Sequence, residues 1–93
     1  MAHALVANVD LGGRDVAEAE KVLNAEIIPA VKQAPGFQSG VWARSPDGKV
    51  GLGVVVFDSE ANAKAAEQAM QRMRPAGAPP VTSLAVYEVS GQT

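Results

Sequence analysis

Cysteine is absent from the sequence, which excludes disulfide bonds, thiolate nucleophiles and sulfur-ligated metals. Histidine occurs once, at His3, so a serine–histidine–acid set is hard to assemble and hydrolase chemistry is not expected. Only two Phe, one Trp and one Tyr are present, and the hydrophobic content depends instead on Ala and Val. Small side chains bury little area each, so a lone protomer is expected to be marginally stable, and oligomerisation is a common remedy.

The sequence lacks the features that binding to nucleic acids, membranes or phosphate groups would require. The net charge is −2 and the Lys and Arg residues are scattered, so nucleic acid is not an expected partner. No apolar run approaches the ~20 residues of a membrane span. The first ten residues lack the features of a signal peptide, and we expect a cytoplasmic protein. The glycines of LGGRD and GLG lack the spacing of phosphate-binding loops.

Four segments have the residue pattern of β-strands: HALVANVDL, QSGVWAR, KVGLGVVVFD and VTSLAVYEV. The first helix is predicted to begin after Asp15, which can cap it, and to kink or break at Pro29. Pro-Gly then closes this helix, and SPDG is a tight turn between the second and third strands. The segment EANAKAAEQAMQRM is rich in Ala and predicts the second helix. Residues 1–93 therefore form one α+β domain with a ferredoxin-like βαββαβ order, a four-stranded antiparallel sheet with two helices on one face.

Both predicted helices carry an apolar stripe that can press on the sheet. In the first helix the stripe consists of Val16, Ala19, Leu23, Ile27 and Ala30 or Val31. In the second it consists of Ala66, Ala69 or Met70, and Met73.

The sheet face opposite the helices is predicted to be apolar as well. The segment LGVVVF is apolar on both of its faces, and Trp42, Phe57 and Tyr87 are the predicted aromatic contributors to the second face. Such a patch is too large for a soluble monomer to leave exposed. Either a second copy of the chain or a ligand can cover it. We expect a homodimer, packed sheet face to sheet face, with a cavity left for a hydrophobic small molecule.

The βαββαβ order, the Pro within the first helix, the PGF turn that leads into a strand with Trp, and the segment GVVVFDSEANAKAAEQ resemble the dimeric α/β-barrel superfamily. Within it, the chain is most similar to antibiotic-biosynthesis-monooxygenase-type domains, over about residues 4–89. The resemblance implies a dimeric barrel, in which Phe37, just after the Pro-Gly turn, plugs the end of the core between helices and sheet. It implies the activity less firmly, because the superfamily contains oxygenases without cofactors, haem-degrading enzymes, isomerases and ligand-sensing modules.

The resemblance also implies candidate catalytic residues. In haem-degrading and anthrone-oxidising members, an Asn and a Trp that line the cavity assist oxygen chemistry. Asn8 matches the Asn on the first strand, whereas Trp42 lies on the second strand and the Trp of haem degraders on the third. Tyr87, on the fourth strand, is the third candidate catalytic residue, as a hydrogen-bond donor. The alternative is that Asn8 bonds to a neighbour, that Trp42 packs in the dimer core and that Tyr87 is a half-buried packing residue.

Arg44 and Phe57 are the candidate substrate-binding residues. An Arg in the cavity can hold a phenolate or carboxylate. The alternative for Arg44 is a salt bridge at the rim, with Asp10 or Glu88 as its partner. His3 is expected to be a solvated residue near the chain terminus, and using it as a haem ligand would require a haem pose that differs from that of the haem-degrading relatives.

Three functions remain open from the sequence. The first is a cofactor-independent, monooxygenase-like enzyme with an apolar cavity between sheet and helices that acts on an aromatic or polyketide-like molecule. The second is a non-catalytic dimer that binds a small molecule as a sensor or carrier. The third is a structural dimer without a ligand. No cofactor or metal site is predicted.

Overall fold

The sheet consists of four strands of equal length. The computed structural model describes residues 2–72 and 79–93. The strands are β1 (His3–Asp10), β2 (Phe37–Arg44), β3 (Val50–Phe57) and β4 (Val81–Glu88). They form an antiparallel sheet in the order β2-β3-β1-β4, so the first and third strands lie in the middle. The predicted ferredoxin-like α+β fold is confirmed.

The connection from β1 to β2 is a helical arm made of three consecutive parts. They are α1 (Val16–Val22), a π-helical segment (Leu23–Ile27) and α2 (Ile28–Lys32). The arm begins as predicted, because the Asp15 side chain accepts a hydrogen bond of 2.9 Å from the backbone N–H of Ala17. The predicted interruption at Pro29 is also confirmed. Proline has no N–H to donate to the carbonyl of Ala25, and the π-helical segment lies directly before the turn that contains it.

The second helix, α3 (Glu60–Arg72), forms the core with the two middle strands. Ala63 has no exposed surface, and it lies in one cluster with Leu5, Val55 and Phe57. An alanine at the contact lets the helix approach closely, and α3 packs against β1, β3 and β4. Of the predicted stripe, Ala66 and Met70 pack against this cluster, whereas Met73 lies outside the described residues.

The helical arm does not pack on the sheet in the same way. None of its three parts contains a buried residue, and its close backbone contacts with the strands are sparse. Its two ends are fixed, because the N–H of Leu11 donates to the carbonyl of Lys49 at 2.8 Å and the N–H of Asp58 donates to the carbonyl of Gly36 at 2.9 Å. The arm is therefore fixed at both ends; Val31 near its C-terminal end packs against the core cluster, and the rest of the arm stands away from the sheet.

The SPDG turn between β2 and β3 is confirmed. The N–H of Gly48 donates to the carbonyl of Ser45 at 2.9 Å, and Gly48 has a positive φ of 73°. Asp47 stabilises the turn from within, since its carboxylate accepts hydrogen bonds from the Ser45 hydroxyl at 2.6 Å and from the N–H of Lys49 at 3.0 Å. These bonds, with the Ser45 hydroxyl first, hold the pKa of Asp47 below its usual value.

Gly36 closes the other end of the arm, and both its conformation and its surroundings require glycine. Its φ is +79°, which is unfavourable for residues with a Cβ. A Cβ at this position would also collide with the side chains of Asp58 and Asn62, which hydrogen-bond to each other at 2.7 Å. Phe37, the next residue, packs against the core cluster as predicted.

We expect Gly36→Ala to lower the free energy of unfolding by about 3 kcal/mol, because backbone strain and the collision with Asp58 and Asn62 add together. Gly13→Ala is the matched control. Gly13 has a φ of +75° but nothing within 4 Å of its would-be Cβ, so strain alone should cost about 1 kcal/mol. Urea unfolding followed by Trp42 fluorescence measures both losses. Equal losses for the two variants would show that the packing around Gly36 contributes nothing.

The sheet face away from the helices, here called the open face, is apolar. Cross-strand neighbours share a face, and Val54 on this face pairs with Val6 on one side and Val41 on the other. The large apolar side chains exposed on this face are Val41 (65%), Val50 (49%), Leu52 (39%) and Tyr87 (57%). A single chain therefore leaves a broad apolar surface in water, as the sequence predicts.

Trp42 and Phe57, in contrast, face the helices, and their predicted place on the second apolar face is wrong. Phe57 is only 1% exposed and lies in the core with Ala63 of α3. Trp42 pairs with Gly53, which is on the same side of β3 as Phe57. The prediction was wrong because β3 is apolar at consecutive positions, so alternation does not show which side the helices cover.

Candidate functional site

A cavity of about 750 Å³ lies between the helical arm and the sheet. Its roof is the predicted apolar stripe of the arm, namely Val16, Ala19, Leu23, Ile27, Ala30 and Val31. Its floor includes the small residues Ala7, Gly51 and Gly53 of the two middle strands. The cavity therefore exists because the arm stands away from the sheet and because the floor beneath it carries little side-chain volume.

Trp42 lies flat on this floor. An added Cβ at Gly53 would lie 3.0 Å from the indole Nε1 and Cδ1 atoms, and one at Gly40 would lie 2.9 Å from its Cζ3 and Cη2 atoms. The indole thus spans the backbones of β2 and β3, over two glycines that leave room for it. Trp42 is part of the cavity lining, and an indole carries an N–H donor beside its aromatic surface.

Among the residues that the structure describes, four charged ones line a cavity that is otherwise apolar: Glu20, Glu26, Arg44 and Arg72. Arg44, the last residue of β2, donates from Nε to the Oε1 atom of Glu20 in α1 at 2.9 Å. The two side chains are 48% and 52% exposed, so this ion pair lies at the mouth of the cavity. A salt bridge at Arg44 was one of the two sequence hypotheses, but its partner is Glu20 rather than Asp10 or Glu88.

Phe57 and Arg44, the two predicted substrate-binding residues, both line the cavity. They lie at opposite ends of it, because Phe57 ends β3 where α2 ends, whereas Arg44 ends β2 beneath α1. The cavity is therefore apolar at the end of Phe57 and charged at the end of Arg44. Their role in binding stays a prediction.

The three predicted catalytic residues are not brought together within one chain. Asn8 lies on the open face, where its Nδ2 atom donates to the Ser83 hydroxyl at 2.8 Å. Tyr87 lies on the same face, on β4, and is 57% exposed. The sheet itself separates both from Trp42 on the helix side. Asn8 thus bonds to a neighbour, as the alternative hypothesis stated.

His3 is placed away from this cavity. Its side chain is 14% exposed, with Nε2 4.0 Å from the Oε2 atom of Glu60, so the expectation of a solvated histidine is wrong. Across residues 2–72 and 79–93, no cluster of three or more His, Asp or Glu side chains has the geometry to hold a metal ion.

The site also contains residues that were not predicted from the sequence, among them Glu20, Glu26, Arg72 and Gly53. Glu20 directly follows Ala19 of the apolar stripe, and both residues line the cavity. Gly53 could have been recognised from its position across the hairpin from Trp42, because the SPDG turn fixes that pairing.

In the described part of the chain, no helix has the length and apolar content to span a membrane.

No protein-family model and no curated protein sequence matches the chain. Solved structures do share its fold. SnoaB, a cofactor-independent oxygenase from Streptomyces nogalater studied as a mutant, has a TM-score of 0.71 at 15% identity, over 98% of this chain and 95% of SnoaB. A monooxygenase from the gene ActVA-Orf6 of Streptomyces coelicolor, in complex with nanaomycin D, has a TM-score of 0.62 at 16% identity, over 99% and 90% of the two chains.

A third structure, from Bordetella bronchiseptica and assigned to the antibiotic biosynthesis monooxygenases, has a TM-score of 0.68 at 16% identity, over 95% of this chain and 96% of its own. At such identities the likeness establishes the fold alone. The predicted resemblance to antibiotic-biosynthesis-monooxygenase-type domains is confirmed at that level, over nearly the full length of each chain.

Proposed function

We propose that this chain binds a multi-ring aromatic molecule in the cavity beneath the helical arm and oxidises it with dioxygen, without a cofactor. The cavity carries this proposal. Its volume of about 750 Å³ falls in the ~300–1,000 Å³ range of small-molecule sites, and the described part of its lining is apolar apart from four charged side chains. Two proteins of the same fold support it, one a cofactor-independent oxygenase and one a monooxygenase in complex with nanaomycin D.

The reaction that suits such a cavity converts an activated ring CH₂ group into a carbonyl. One oxygen atom of O₂ enters the carbonyl, and the other leaves as water with the two hydrogens of the CH₂ group. A carboxylate at the cavity wall, such as Glu26, takes a proton from the CH₂ group and leaves an enolate. The Trp42 N–H donates a hydrogen bond to the enolate oxygen, and the bound rings displace water from the apolar lining around it.

We also propose that the protein is a homodimer in which two open faces pack together. The exposed side chains of Val41, Leu52 and Tyr87 support this, since a second copy would remove them from water. Asn8 and Tyr87 would then lie at the interface and contribute to the dimer rather than to the chemistry. The single-domain organisation and the cytoplasmic location stay predictions from the sequence.

An oxygen electrode tests the activity with anthrone as the probe. We expect one O₂ consumed for each anthrone converted, with one labelled oxygen atom in the product when isotopically labelled O₂ is supplied. Trp42→Phe removes the N–H donor and should lower the rate by at least about tenfold. Gln68→Ala, on the exposed side of α3, is the control and should leave the rate unchanged.

The second candidate function is a non-catalytic binding protein, and one observation favours it. The sheet separates Asn8 and Tyr87 from Trp42, so the predicted catalytic set is not assembled in the cavity. Binding without turnover distinguishes the two functions. If Trp42 fluorescence is quenched by anthraquinones but no oxygen is consumed with anthrone or related quinols, the oxygenase proposal is wrong and the binding function stands.

A further inference from the structure

The ion pair at the cavity mouth uses only part of the hydrogen-bonding capacity of Arg44. A guanidinium carries five N–H donors in a planar fork, one on Nε and four on the two terminal nitrogens. The bond to Glu20 is made by Nε, at 2.9 Å. The edge of the guanidinium that carries the two terminal nitrogens can bind a carboxylate with two parallel hydrogen bonds.

Glu20 also determines where this guanidinium is held. It belongs to α1, Arg44 ends β2, and the bond between them crosses from the helical arm to the sheet. A long, half-exposed Arg side chain would otherwise sample many rotamers, and holding it in one of them costs entropy at the moment of binding. The bond to Glu20 orders Arg44 before a ligand arrives.

The rest of the cavity gives such a ligand its shape. Behind the mouth, the described lining is apolar as far as Phe57 except for Glu26 on the arm, so the body of the ligand is apolar and a negative charge on it lies at the Arg44 end. A carboxylate at that end can reach the terminal nitrogens of Arg44 while the rings lie beneath the arm.

We propose that the ligand is an aromatic carboxylic acid, that Arg44 binds its carboxylate, and that Glu20 is a positioning residue that holds Arg44 ready. This rests on the proposed function in one respect, namely that an aromatic molecule occupies the cavity. It adds the acidic group of the ligand, its orientation in the cavity and the role of Glu20.

A matched pair of probes tests the acid-binding role of Arg44. Anthraquinone-2-carboxylate and its methyl ester share the same rings, and quenching of Trp42, the only tryptophan, reports the binding of each. We expect the acid to bind about tenfold more tightly than the ester. Arg44→Gln should abolish this preference and leave the affinity for the ester unchanged. Arg72→Gln removes the same charge from another lining position and should retain most of the preference.

Two variants of Glu20 separate positioning from competition. If Glu20 holds Arg44 ready, Glu20→Ala should weaken the binding of the acid by about threefold to tenfold, and Glu20→Gln should restore most of it, because the amide oxygen still accepts the Nε hydrogen bond. If Glu20 merely competes with the ligand for Arg44, both variants should bind the acid more tightly than the wild type. The ester should bind all three proteins equally.

The outcomes also separate this inference from the proposed function. If neither probe quenches Trp42, the cavity does not bind aromatic compounds and the proposed function is wrong. If both probes bind with equal affinity, or if Arg72→Gln costs as much as Arg44→Gln, the cavity binds ligands but the acid site at Arg44 is wrong. Tighter binding of the acid by Glu20→Ala overturns the positioning role.

Discussion

Replacement of Leu52 by glutamate is expected to convert the proposed dimer into a folded monomer. Leu52 lies in the middle of the open face, between Asn8 of β1 and Ala43 of β2, and it is 39% exposed in the single chain. In the monomer a glutamate there remains in contact with water. In a symmetric dimer both copies would bury a carboxylate, and each unpaired buried charge costs about 3 kcal/mol or more. The dissociation constant should therefore rise by at least about a thousandfold.

Sedimentation equilibrium over a range of protein concentrations measures this change. Ala65→Glu, on the exposed side of α3, adds the same charge away from the open face and should remain a dimer. Circular dichroism establishes that both variants are folded. Two results would contradict the sheet-to-sheet dimer: a wild-type protein that is monomeric at micromolar concentration, or a Leu52→Glu protein that dimerises as strongly as the wild type.

The fold was predictable because its signals are local. The Asp15 cap, the Pro29 interruption and the SPDG turn each act within a few residues, and each is found where the sequence placed it. Four strands and two helices in that order have few ways to pack, so the sheet order followed from them.

The site was less predictable because it depends on which side of the sheet the helices cover. The apolar residues of β3 occur at consecutive positions, and both assignments of Phe57 were compatible with the sequence. The positions of Gly51 and Gly53 indicate which side of the sheet the helices cover. Both lie on the same side of β3 as Phe57, and that is the side on which Trp42 and the cavity need space.

The ion pair of Glu20 and Arg44 was beyond prediction for a different reason. The two residues are 24 positions apart, and their contact depends on how far the helical arm stands from the sheet. That distance follows from tertiary packing rather than from any local pattern. Asp10 and Glu88 were the suggested partners because they are charged residues on strands, and no sequence rule favoured Glu20 over them.

Filling the cavity is expected to stabilise the protein and to remove its function together. Ala19 lies on the side of α1 that lines the cavity. A phenylalanine there would bury apolar surface in space that is open in the wild type, and we expect the free energy of unfolding to increase by about 1 kcal/mol. The same ring would occupy the space of the ligand, so the affinity for the methyl ester of anthraquinone-2-carboxylate should fall by at least about tenfold.

Ala17→Phe is the matched control, because Ala17 lies on the exposed side of the same helix and does not line the cavity. It should change neither the affinity for the ester nor, by more than about 0.5 kcal/mol, the free energy of unfolding. The opposite signs of the two effects at Ala19 are the decisive feature. If the cavity is only a packing defect, filling it stabilises the protein and changes no function. If it is a binding site, filling it stabilises the protein and lowers the affinity for the ligand. If Ala19→Phe bound the ester as tightly as the wild type, the ligand would not lie beneath the arm.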